Sequence, residues 1–104
     1  MAAKSRKEMI EDMLATDPNN HEMRYMLAME HISAGDDAGA VRWFEQVIAA
    51  NPNYQHAYHQ CGRALARLGQ TEKARALLTQ GIPIAERQGD LHAAGEMTEF
   101  LANL

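Results

Sequence analysis

Apolar residues along this chain recur at intervals of three and four, the spacing that places them on one face of a helix. Met9, Ile10, Met13 and Leu14 predict a helix over about 4–16, and Met23, Met26, Leu27 and Ile32 a second over about 20–34. Ala40, Val41, Phe44, Val47 and Ile48 predict a third over about 37–50, and Tyr58, Cys61, Gly62 and Leu65 a fourth over about 54–68. Ala74, Leu77, Leu78, Ile82 and Ala85 carry a fifth toward Gln88, and Leu91, Ala94, Met97, Phe100, Leu101 and Leu104 mark a last helix over about 90–103. Pro83 interrupts the fifth pattern. A mid-helix proline lacks a donor and crowds the carbonyl four residues back, so a kink near Gly81, or a helix that stops there and restarts, is expected.

Polar punctuation falls between these runs in a repeating order. Asp17-Pro18-Asn19 reappears as Asn51-Pro52-Asn53, and Gly35 reappears as Gly69. The pairs Ala40 and Ala74, Phe44 and Leu78, Ile48 and Ile82 keep the same 34-residue offset, the signature of stacked supersecondary units. Proline disfavours helical geometry in the residue before it, and glycine accepts the left-handed conformation that ends many helices. Asn20, Asp36 or Asp37, and Thr71 are the expected N-caps.

Composition narrows the class without naming a function. With 104 residues, 46% of them hydrophobic and few β-branched, the chain is expected to form one all-helical domain. No apolar run reaches the roughly 18 residues of a membrane span. Glu8, Glu11 and Asp12 break the N-terminal stretch where a signal peptide needs an apolar core, so secretion is not expected. Cys61 is the only cysteine and cannot form an internal disulfide, which fits a reducing, cytoplasmic setting. The net charge of −4 is uneven: residues up to Tyr54 carry −4, residues 55–88 carry +3, and the tail carries −3. A small basic segment in an acidic protein argues against nucleic-acid binding.

These positions resemble the tetratricopeptide repeat family, which is built from 34-residue helix-turn-helix units. Leu27, Ala28, Ala40, Phe44 and Pro52 stand at signature places of a first unit, residues 21–54. Tyr58, Cys61, Gly62, Leu65, Ala74, Leu78 and Gly81 stand at those of a second, residues 55–88. Residues 4–18, within an N-terminal helical segment over 1–18, are similar to the second half of a preceding unit, with Ile10, Met13, Leu14 and Pro18 in phase, and 89–104 to the capping helix that commonly follows the last. Arg24, His31 and Glu86 depart from the pattern. The resemblance implies a right-handed α-α superhelix, a solenoid of about six antiparallel helices, whose inner surface is lined by the first helix of each pair.

Counted from the repeat starts, the inward residues that avoid the core are Glu22, Tyr25, Met26, Met29 and Ser33 in the first unit and His56, His59, Gln60, Arg63 and Arg67 in the second, with Tyr25, Met26 and Met29 as the first unit's candidate contacts. If the last helix fills the next slot, Ala93, Met97 and Phe100 close or enter the groove. Arginine holds carboxylates bidentately and methionine adapts to irregular apolar shapes, so the expected guest is an acidic and apolar peptide of another protein. Met26 and Met29 serve equally well as core filling, and Arg63 and Arg67 as a solvated face. A second reading is a homodimeric structural module joined through Tyr25, Met26 and Met29. Family members that bind chaperone tails use a lysine and asparagine clamp; Tyr25 and Met29 stand at matching places, so that activity is not implied.

His56 and His59 lie three apart, as a two-ligand metal pair requires, but no third ligand is evident and no metal or other cofactor is expected. No Gly-rich phosphate loop or nucleophile with a base can be assembled, so the chain is not expected to be an enzyme.

Overall fold

The computed structural model describes residues 3–104. Six helices follow one another: α1 (Arg6–Thr16), α2 (His21–Ser33), α3 (Asp37–Ala50), α4 (Gln55–Arg67), α5 (Thr71–Arg87) and α6 (Leu91–Ala102). Each packs antiparallel on the next, giving the right-handed α-α superhelix in two layers, α1, α3 and α5 on one side and α2, α4 and α6 on the other. The molecule is elongated, 48 × 28 × 21 Å.

The helices start and stop where local chemistry places them. Ser5, Asn20, Asp36 and Asp90 each accept a hydrogen bond from the amide three residues on, satisfying a donor left free at a helix start. Thr71 is the first residue of α5 and not its cap; Gln70 holds that place without a side-chain bond, and Tyr54 does the same for α4. Gly35, Gly69 and Gly89 have φ of 76°, 78° and 77°, so each ends a helix in the left-handed region, where a Cβ is disfavoured. In each case the next amide reaches back over the turn, as Asp36 N does to the His31 carbonyl at 2.8 Å.

Small residues set the helix spacing and large ones fill it. Ala28, Ala40, Ala57 and Ala74 are fully buried around Phe44, Val47, Cys61 and Leu65, and Leu78, Ala85, Ala93, Ala94 and Met97 form a second cluster under α6. Each large side chain so buried contributes about 1.5–3 kcal/mol. A Cβ at Gly62 would lie 2.8 Å from Leu78 Cγ, and one at Gly81 2.7 Å from Tyr58 Cβ and 3.0 Å from Met97 Sδ. Glycine therefore lets α4 and α6 close on α5.

Pro83 does not break the fifth helix. α5 runs through it without interruption, with Gly81 seated against α4 and α6 on one side and Ile84 and Ala85 buried on the other. Packing on both flanks outweighs the ~3 kcal/mol that an interior proline costs. The extra length of α5 has a positional consequence. The cap residues Asn20 and Tyr54 are 34 positions apart, but Tyr54 and Asp90 are 36 apart, so the third unit starts two residues later than a strict period predicts.

Candidate functional site

Helices α2, α4 and α6 form the inner layer, and residues at equal distance from their caps form rows across it. Nine positions after each cap stand Met29, Arg63 and Glu99; six positions after stand Met26, Gln60 and Glu96; five after stand Tyr25, His59 and Gly95. The rows place opposite charges on facing helices.

Between α4 and α6 these rows open into a cleft of about 280 Å³, lined by His59, Arg63, Glu96, Glu99, Phe100 and Asn103. The Arg63 guanidinium carbon lies 5.9 Å from the centre of the Phe100 ring, within cation–π range. Burial lowers the His59 pKa, the Arg63 charge and His56 lower it further, and Glu96 opposes them. His59 is thus biased toward the neutral imidazole. His92 Nε2 lies 2.8 Å from a Glu96 carboxylate oxygen.

Tyr25 and Met29 sit at the other end of the layer and are half-buried against the first core cluster. The Tyr25 ring is 5.7 Å from Phe44 and 5.3 Å from Tyr54, and Tyr54 is 5.3 Å from His21 and 6.2 Å from His56. Burial, with a smaller contribution from Tyr54, raises the Tyr25 phenol pKa. Met26 and Gln60 are half-buried and His56 is exposed. Arg67 stands apart from the cleft. Its Nε lies 3.1 Å from both carboxylate oxygens of Asp37 and its Nη2 2.9 Å from one, so it ties α4 to the start of α3.

Of the three residues expected from the last helix, Phe100 lines the cleft, while Ala93 and Met97 are buried beneath it. Glu96 and Glu99 were not anticipated, because the 34-residue count places α6 two residues out of phase. Gly89, the third of the helix-ending glycines, is the signal that corrects the count.

The charge expectation also changes. The excess of +3 over residues 55–88 includes Lys73, Arg75 and Arg87, all on α5 in the outer layer. With Arg67 paired to Asp37, the cleft itself sets Arg63 on α4 against Glu96 and Glu99 on α6. A hairpin divides a charged segment between two faces, so charge by segment is not charge by surface.

A second groove, of about 260 Å³, opens in the outer layer between α3 and α5. Cys61 and Leu65 form its floor, Val41 and Leu77 its walls, and Glu45 and Lys73 its opposite rims. Burial, then the Glu45 charge, pushes the Cys61 thiol up to about 12, so it behaves as a small hydrophobe. Among the described residues no three His, Cys, Asp or Glu side chains cluster as metal ligands would, and no helix is long and apolar enough to cross a membrane.

The tetratricopeptide repeat family model matches residues 31–96. A tetratricopeptide repeat-containing protein of Pseudomonas aeruginosa is 32% identical over 97 residues, which span 93% of this chain and 92% of that protein. The crystal structure of a tetratricopeptide repeat domain protein from Salinibacter ruber superimposes with a TM-score of 0.76 at 27% identity, covering 81% of this chain and 93% of that one. A Bordetella parapertussis protein solved in solution superimposes with a TM-score of 0.84 at 24% identity, covering 97% and 88%, and shows the shared fold.

Proposed function

Because the chain belongs to the tetratricopeptide repeat family, a fold that serves protein–protein interaction, we propose that it is an adaptor whose inner face receives a peptide segment of another protein. The observation that supports this reading is the cleft between α4 and α6. Arg63 lies on the exposed surface there beside the Phe100 ring, and His59 is half-buried, so one recess offers a charge, an aromatic face and a neutral imidazole. Such a mixture of apolar surface with a few placed polar groups suits a side-chain-sized guest.

Tyr25, Met26 and Met29 continue the surface toward α2, with Gln60 and His56 between. Arg67 acts here as a positioning residue, because its bond to Asp37 sets where the end of α4 lies. The fold is typical of scaffolds without catalysis, and a cytoplasmic setting agrees with the lone buried thiol. Self-association through Tyr25, Met26 and Met29 is the weaker reading, since Tyr25 and Met29 already spend much of their surface on the core.

Affinity capture from a lysate of the source organism tests the proposal. Arg63→Glu combined with Phe100→Ala is expected to lose the partner that the wild type retains, with an unchanged helical spectrum; identical captured proteins would overturn it. Static light scattering at micromolar concentration is expected to give the monomer mass, and a dimer broken by Tyr25→Glu would favour self-association instead.

A further inference from the structure

The two walls of the inner cleft carry opposite charge and do not close on each other. Arg63 projects from α4; Glu96 and Glu99 project from α6. Among the described residues Arg63 makes no ion pair and neither does Glu99, while Glu96 meets the exposed His92. About 280 Å³ of space lies between the walls, just below the usual range of ligand pockets and less than one turn of a helix roughly 10–12 Å across would fill. An extended chain fits differently. Successive side chains of an extended chain point to opposite sides, so a segment lying along the cleft sends residue i to one wall and residue i+1 to the other.

Resting on the reading of the inner face as a peptide site, we propose that the cleft selects an extended segment with an acidic and a basic residue adjacent in sequence, the carboxylate toward Arg63 and the cation toward Glu96 and Glu99. Charge complementarity on both walls carries the argument. Two adjacent acids would put one carboxylate against Glu96 and Glu99, and two adjacent bases would put one cation against Arg63; like charges so placed repel. Phe100 supplies the apolar surface on which the aliphatic stem of either residue lies. His59, largely neutral, adds a hydrogen-bonding group to the α4 wall without a second full charge.

The test uses three probes in the full chain at low salt: acetyl-Gly-Glu-Lys-Gly-amide and its Glu-Glu and Lys-Lys counterparts, followed by NMR shifts at Arg63, Glu99 and Phe100. The mixed probe is expected to bind wild type on the order of two- to five-fold more tightly than either like-charged probe, the range that exposed charge pairs support. Arg63→Glu makes both walls acidic and is expected to favour the Lys-Lys probe. Glu96→Lys with Glu99→Lys makes both basic and is expected to favour the Glu-Glu probe. All these positions are exposed, so the variants keep the fold, which circular dichroism verifies. An order of affinity that the charge variants leave unchanged, or a wild type that prefers either like-charged probe, overturns the charge-pair inference while the inner-face reading stands. If none of the three probes moves the cleft signals, the charge-pair inference falls, and loss or retention of the captured partner by Arg63→Glu with Phe100→Ala decides the inner-face reading separately.

Discussion

Substituting alanine for glycine at three helical positions separates the packing account from helix propensity. Alanine is favoured over glycine inside a helix by about 0.5–1 kcal/mol. At Gly95 in α6 an added Cβ meets nothing within 4 Å, so Gly95→Ala is expected to show that whole gain. At Gly62 the same atom would lie 2.8 Å and 2.9 Å from Leu78 Cγ and Cδ2, and Leu78 is fully buried with no room to withdraw. At Gly81 it would lie 2.7 Å from Tyr58 Cβ, an atom held by the α4 backbone, and 3.0 Å from the more adaptable Met97 Sδ. Overpacking of this kind costs about 1–3 kcal/mol, which leaves a net loss of up to about 2 kcal/mol once propensity is subtracted.

In a domain of this size about 1 kcal/mol moves Tm by roughly 4–8 °C. Calorimetric melts should therefore rise by a few degrees for Gly95→Ala and fall for Gly62→Ala and Gly81→Ala, with Gly81→Ala lowest. Because α5 spaces α4 from α6, Gly81→Ala should also disturb the cleft shifts of Phe100. Equal melts for all three variants would refute the close approach of these helices.

Further outcomes follow from single side chains. Pro83→Ala restores a donor that can reach the Thr79 carbonyl and should raise stability by about 1–3 kcal/mol; an unchanged melt would mean that Pro83 costs α5 little where it stands. Arg67→Ala should cost about 1 kcal/mol, less at high salt, with a coupling to Asp37 in a double-mutant cycle, since the pair is bidentate but partly exposed. His59 has its pKa lowered in the folded state, so the unfolded chain binds the proton more readily. Its contribution is thus fully favourable above the ordinary histidine range and declines as pH falls from about 6.5 toward the folded value. Denaturant midpoints should follow that slope in wild type and lose part of it in His59→Gln; an identical slope would exclude burial of the imidazole as its cause.

Helix positions were legible because they are local. Apolar spacing, the Asn-Pro turns and the left-handed glycines are written in consecutive residues, and the six helices fall within about two residues of their expected bounds. The small residues Ala40, Ala74 and Gly62 likewise declared the seams between helices. The site was less legible because it depends on which face a residue reaches. Arg67 and Asp37 are 30 positions apart and nothing near either announces their pairing. Lys73, Arg75 and Arg87 share a basic segment with Arg63, yet one turn of chain puts them on the other layer. The two-residue lengthening that brings Glu96 and Glu99 opposite Arg63 follows from α5 continuing through Pro83, which a local rule for proline does not anticipate.

The two grooves make the inner face separable from the outer one. Partner capture by Arg63→Glu, in the inner cleft, should be compared directly with capture by Lys73→Glu, on the rim of the outer groove, each against wild type and each with its melt recorded. The inner-face account expects the partner to be lost from Arg63→Glu and retained by Lys73→Glu. Loss from Lys73→Glu with full retention by Arg63→Glu would contradict it and move the binding surface to the groove floored by Cys61 and Leu65.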